Sequence, residues 1–332
     1  MIQTHSTVWA LAAMTLTQGA MAQRETQPEP IASDDPVIST DLSLDPGAGY
    51  LVSDARFHDD PEILWPGFLS GLRGYEGFYL PVGNPLYFES PINDSRVTFV
   101  YLHHDFPSGS QIAGGDLDVV ALQVRVAITE RLGLIATKDG YSFLDAGAFP
   151  EDEGWNDIAL GLKYVFYADE ETDTVAAVGA RYMTESGDGN VLQGNVQELS
   201  PFISAAKGFG DFHLMGNVTW RAPLDDDDGN HILQWSAHAD YELIDGFAPM
   251  VELHGLHYLS DGNRVPLSVG GLDYGNLGSA NVAGSTVVWA EVGAAFRFTP
   301  NVELGATYGH GLTNHSADIM EDRFTVLLHL KW

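Results

Sequence analysis

The sequence predicts an all-β protein: an antiparallel up-and-down transmembrane β-barrel of about 12 strands, preceded by an N-terminal non-barrel segment. Three observations carry that expectation. Apolar and polar residues alternate with period two in roughly twelve segments after Ser95, the connections between those segments alternate short and long, and the final strand ends on Trp332. Successive side chains of a strand point to opposite faces, so strict alternation marks a sheet with one oily and one polar face.

Taken in chain order, residues 1–22 read as an export signal. Val8 to Leu16 form an apolar, Ala-rich core, and small residues at Ala20 and Ala22 suit cleavage near Ala22, although Met1 to Ser6 carry no positive charge. Residues 23–64 are rich in Pro, Asp, Glu and Ser with no apolar period, the composition of a disordered acidic linker. Between Trp65 and Asp94 the composition changes to glycines interleaved with Phe68, Tyr75, Phe78, Tyr79, Tyr87 and Phe88. This Gly/aromatic segment has enough apolar surface to dock, as a plug, as a periplasmic segment, or as a first strand with its loops.

The barrel is expected over residues 95–332. Around Asp157 to Tyr167, Ile158, Leu160, Leu162, Tyr164 and Phe166 share one face, with Asp157, Lys163 and Tyr167 on the other. Leu233, Trp235, Ala237, Ala239 and Tyr241 alternate with Gln234, Ser236, His238 and Asp240; Val288 to Phe298 and Leu122 to Thr129 repeat the pattern. Short turns fall at Glu130-Arg131, Asp169 to Asp173, Gly210-Asp211, Asp245-Gly246 and Thr299-Pro300. Long connections fall near 107–116, 139–154, 185–195, 223–230, 260–285 and 313–321. That rhythm is the one of outer-membrane barrels, with short periplasmic turns and longer external loops. At the C-terminus Phe324, Val326, Leu328, Leu330 and Trp332 alternate with polar residues. This run resembles the terminal strand by which the barrel-assembly machinery recognises such proteins, and it would close the ring on the first strand. The expected location is the outer membrane of a Gram-negative-type bacterium.

Composition removes other classes. The formal net charge is -31 and no Lys/Arg cluster occurs, which argues against nucleic acid as a partner. The absence of cysteine excludes disulfides, Cys-based zinc sites and thiol catalysis. No cofactor is expected. The six long connections hold sixteen acidic side chains and one basic one, Arg264, so the acidic excess sits in water. Asp225-Asp226-Asp227-Asp228-Gly229-Asn230 offers hard oxygen ligands but lacks the spacing of a calcium loop, and a solvated turn is expected, with no metal.

Charged residues on the polar face are the candidates for the lumen: Arg125, Lys163, Arg181, Arg221, Asp240, Glu252, Glu291 and Arg297. They would line a solute pathway or a salt-bridged, closed interior. A hydrolase finds one hook, His257 and Ser260, but residues three apart on a strand face opposite sides, and no catalytic residue is assigned.

Gly154-Trp155-Asn156-Asp157-Ile158-Ala159-Leu160-Gly161-Leu162-Lys163-Tyr164 resembles the G-x-G-D-x-x-L-G-x-K-Y stretch of outer-membrane transporters grouped with phenol meta-pathway degradation proteins, with Asn156 at the second Gly. Pro81 to Pro91 resembles a segment of uncharacterised envelope proteins. The resemblance implies a barrel in contact with outer-membrane lipid and passage of a small solute, without fixing which; those transporters are themselves similar to channels for hydrophobic substrates. The expected function is therefore an outer-membrane channel or transporter, with a closed structural or interaction barrel as the alternative and a lipid hydrolase behind both.

Overall fold

The chain's computed structural model describes residues 67–138, 140–313 and 318–332. The expected signal peptide, the acidic linker and the first two residues of the Gly/aromatic segment lie outside the described residues. The first strands are β1 (Arg96–Asp105), β2 (Gly115–Ala127), β3 (Leu132–Ala136), β4 (Gly140–Ala146), β5 (Asp152–Trp155), β6 (Ala159–Asp169) and β7 (Thr174–Met183). They are followed by β8 (Glu198–Phe209), β9 (Phe212–Pro223), β10 (Ile232–Tyr241), β11 (Phe247–Tyr258), β12 (Thr286–Thr299), β13 (Val302–Gly311) and β14 (Asp322–Lys331).

Neighbours in sequence pair antiparallel around a ring, and β1 pairs with both β2 and β14. The ring therefore has no free edge: β1, β2, β3 and β6 to β14 make a closed barrel of 12 strands. β4 pairs with the Gly115–Ala121 part of β2, opposite β1, and β5 pairs with β4 as a hairpin. Here the structure corrects the sequence reading, which placed a plain loop over 139–154. The acidic residues Asp145, Glu151, Asp152 and Glu153 suggested a solvated loop, but Tyr141 packs edge-on to Trp155 at 5.1 Å and pins the pairing.

The wall is inverted relative to a water-soluble protein. Leu160, Leu162, Tyr164, Val251, Val292 and Phe296 are exposed on the outside, while Gln123, Lys163, Arg221, Glu252 and Glu291 are buried inside. Lipid rewards an apolar exterior and a lumen rewards a polar one, so the period-two pattern fixes which way each strand faces. Phe324, Leu330 and Trp332 are likewise exposed on the outside. One side chain departs from the expected face. A bulge between Val165 and Tyr167 inserts one residue into β6, so Phe166 and Tyr167 both point outward.

Short turns gather at one end. The Asp245-Gly246 turn needs the left-handed backbone that glycine adopts freely, and Gly246 has φ 75°. Phe209 and Phe212 pair near this end at 6.3 Å, and Phe296 and Phe298 at 6.4 Å, as in the aromatic girdle expected where hydrocarbon meets headgroups. Replacing Val292 with Arg should lower the unfolding free energy by about 2–4 kcal/mol, the cost of a cation in hydrocarbon on the outer face. Equilibrium urea unfolding from lipid vesicles measures it, and an unchanged midpoint would place this face away from lipid.

Candidate functional site in the barrel lumen

All eight candidate charges face inward. Seven are buried, and Arg297, nearest the short-turn end, is half-buried. Apart from Arg297, which lies on β12, strand order separates them by sign. Arg125 on β2, Lys163 on β6, Arg181 on β7 and Arg221 on β9 line one wall; Asp240 on β10, Glu252 on β11 and Glu291 on β12 line the other. Glu303 on β13 continues the acidic wall and pairs with Arg297 at 3.3 Å and Lys331 at 3.1 Å.

Residues 67–94 occupy the space between the walls. Near the short-turn end the Leu69 N–H donates to Ala127 O and the Tyr75 hydroxyl to Thr174 O. Tyr79 then lies under the Arg297 guanidinium at 4.1 Å and donates to Glu242. Against the acidic wall the segment offers backbone donors: Leu80 N–H to Glu303, and Val82 and Gly83 N–H to the two oxygens of Glu252, at 3.1, 2.8 and 2.8 Å. Gly83 can lie this close because it has no side chain; a Cβ there would sit 2.2 Å from the Glu291 carboxylate.

The cationic wall meets Glu89, the segment's one carboxylate in this stretch. Its oxygens accept from Arg125 Nε and Nη2, Lys163 Nζ and Arg181 Nη2, the closest contact of each residue being 2.9, 3.0 and 3.4 Å. Lys163 Nζ also donates to the carbonyls of Ser90 and Ile92, returning the segment to the short-turn end, where Asn93 Nδ2 donates to Thr129 O. Two of the cavities left between segment and wall measure only about 10 Å³ each.

Four further groups on the acidic side, absent from the candidate set, complete a buried chain of alternating imidazoles and carboxylates. His213 Nδ1 meets Asp240 Oδ1 at 2.8 Å, and Asp240 Oδ2 meets His238 Nε2 at 2.9 Å. His238 Nδ1 meets Glu252 Oε1 at 2.7 Å, and Glu252 Oε2 lies 3.2 Å from His254 Nε2, whose Nδ1 meets Ser236 Oγ. Glu291 lies beyond, 4.0 Å from His254. The alternation placed His238 beside Asp240 on the polar face, but neutral imidazoles were not counted among the charges.

The long loop 259–285 closes the other end. Arg221 donates to the carbonyls of Leu272 and Gly275, and Arg323 grips Asp273 through two bonds of 2.8 and 2.7 Å. Burial would raise the Asp273 carboxyl, but the Arg323 guanidinium outweighs it and holds the group below the usual aspartate range. Glu198 joins three parts of the molecule. It accepts from Arg221 on the wall, from the Tyr87 hydroxyl of the inner segment at 3.0 Å and from Asn276 Nδ2 of the loop at 3.3 Å.

Other expectations resolve locally. His257 Nδ1 meets Thr286 Oγ1, and Ser260 Oγ accepts from the His231 N–H, so the two do not form a nucleophile and base pair. The acidic run folds as a turn in which Asp225 accepts the Asp227 and Gly229 N–H groups. The resembling stretch divides by face: Leu160, Leu162 and Tyr164 meet lipid, Asp157 accepts the N–H groups of Gly187 and Gly194, and Lys163 holds the inner segment.

No family model matches the chain, and no curated protein matches it. Among solved structures it is similar to an outer membrane channel from Pseudomonas putida F1, with a TM-score of 0.53 at 13% identity over 76% of this chain and 100% of that one. A second similarity, to the NanC porin, has a TM-score of 0.45 at 11% identity over 72% of this chain and 100% of the porin. The first likeness shows the fold, a 12-strand barrel.

Two outcomes follow from the site. Arg221→Ala leaves Glu198 buried with no cation and should cost about 3–5 kcal/mol, read from urea unfolding in vesicles. The Asp273 contact has a depressed carboxyl pKa, so its contribution is complete above the ordinary aspartate pKa of about 3.9 and is lost as pH falls through the lower folded value. Pepsin should therefore leave loop 259–285 intact at pH values near that ordinary pKa and cut it on further acidification. Arg323→Gln should be cut at the milder pH, and equal resistance of both proteins would show that the pair does not hold the loop.

Proposed function

We propose that the chain is an outer-membrane channel for a small solute, held shut by residues 67–94. The observation that carries this reading is the manner of closure. The lumen is filled by a segment that forms no rung of the ring and is held by ion pairs and backbone N–H donors, so it can leave while every strand pairing stays intact. Lumen charges of both signs are then already solvated or paired by water, which a polar passage requires.

On this reading the short turns face the periplasm and the long acidic loops face outward, as in barrels delivered by the assembly machinery through their last strand. The terminal alternation ending in Trp332 supplies that strand. The resemblance of residues 154–164 to the phenol meta-pathway transporters supports small-molecule passage, and its Lys163 is one of the residues that holds the inner segment. A second reading is favoured by the closure itself: a barrel sealed by the inner segment and loop 259–285 would be a structural or interaction protein.

Planar-bilayer recording of the refolded full chain separates the two. Wild type is expected to be mostly closed with brief openings, and Glu89→Ala to open several-fold more often because the cationic wall loses its anchor. Introduced thiols at Asn84 and Ser236, joined by a short reducible cross-linker, should abolish openings until reduction; the native chain has no cysteine to interfere. Persistent closure of wild type, Glu89→Ala and the reduced thiol variant alike would make the sealed barrel the correct assignment.

A further inference from the structure

We infer that the channel's solute is a small organic anion bearing carboxylate, bound in the lumen by Arg125, Lys163 and Arg181, and that Glu89 occupies its place while the lumen is shut. The inference rests on the channel reading and narrows it.

Its basis is a mismatch of charge within one lumen. Elsewhere each buried arginine meets one carboxylate: Arg221 meets Glu198 at 3.0 Å and Arg323 meets Asp273 at 2.7 Å. At Glu89 three cations from β2, β6 and β7 converge on a single carboxylate. That carboxylate is fully buried and belongs to the removable segment, not to the wall. A fork of guanidinium donors with an ammonium beside it is the geometry that selects carboxylate oxygens.

Donors remain after Glu89 is satisfied. Arg181 lies against the rings of Phe202 and Tyr87, and its Nε and Nη1 are buried with no hydrogen-bond acceptor. Lys138, 3% exposed, has the Met183 sulfur at 3.2 Å as its hydrogen-bond partner. Both side chains line one cavity of about 10 Å³, room for roughly one water-sized atom. Buried cationic donors without acceptors are costly to a closed structure and useful to one that must take on negative charge. Of the carboxylates near this wall, Glu198 is engaged by Arg221, Asp94 pairs with Arg96, and Asp157, which faces Lys138, accepts the N–H groups of Gly187 and Gly194, so cations still outnumber carboxylates. A dicarboxylate matches the count better than a monocarboxylate.

Succinate is the probe, with acetate and chloride at matched ionic strength, on the full chain in planar bilayers. Succinate should raise the open fraction of wild type several-fold, at lower concentration than acetate, and chloride should not. In Glu89→Gln the zero-current potential in a KCl gradient should show chloride several-fold more permeant than potassium. Arg125→Gln with Arg181→Gln should lose both effects, its folding checked by heat-modifiable gel migration; the first two measurements decide the matter without it. Openings that are cation-selective and indifferent to succinate would overturn the anion assignment and leave the channel reading standing. No openings in any variant would overturn the channel reading itself, and the anion assignment with it.

Discussion

In hydrocarbon no water is available to a peptide group, so every N–H and C=O at membrane depth has to find its partner within the protein. The pairing of β1 with β14 meets that demand, since it removes the last two sheet edges. Most of the remaining architecture follows from it. A closed ring of antiparallel strands needs neighbours in sequence to be neighbours in space, which makes one set of connections tight. It also gives each strand an oily and a polar side, and so collects charged residues from widely separated segments into one interior.

That interior is too charged to be an ordinary core. A buried ion costs several kcal/mol unless it is well paired, and unpaired ones are rarely kept. Here the cost is offset largely by a piece of chain that is not a strand of the ring but lies within it. The inner segment presents opposite chemistry to opposite walls: a carboxylate, Glu89, toward Arg125, Lys163 and Arg181, and peptide N–H groups of Leu80, Val82 and Gly83 toward Glu303 and Glu252. It behaves as a bound ligand that happens to be covalently attached, which is why its contacts describe what the wall can recognise.

The barrel was legible because lipid imposes a strict local rule on every strand. Ile158, Leu160 and Leu162 had to be apolar for one reason only, and the period betrayed it. The inward direction of Arg125, Lys163 and Glu252 followed from the same rule. Tyr167 was misplaced because a bulge breaks the period while leaving its neighbours apolar, and an aromatic residue suits either side of such a break. The hairpin of β4 and β5 was hidden since β4 carries apolar side chains on both faces, Tyr141 and Phe143 outward and Leu144 and Ala146 inward, which masks its period. What no sequence pattern could supply was who meets whom. Glu89 lies 36 residues from Arg125 and 92 from Arg181, in a stretch without period, and only the closed ring brings them together.

Glu198 carries a consequence of its own. One carboxylate holds the Tyr87 hydroxyl from within, the Asn276 amide from the long loop and the Arg221 guanidinium from the wall. Its lone pairs are finite, so the two ends of the molecule share one ledger of hydrogen bonds. Displacing the long loop leaves more of the Glu198 charge to Tyr87, and withdrawing Tyr87 strengthens the hold on the loop by the same free energy, since thermodynamic linkage is reciprocal. A single side chain thus couples the inner segment to the long loop without any strand of the wall having to move.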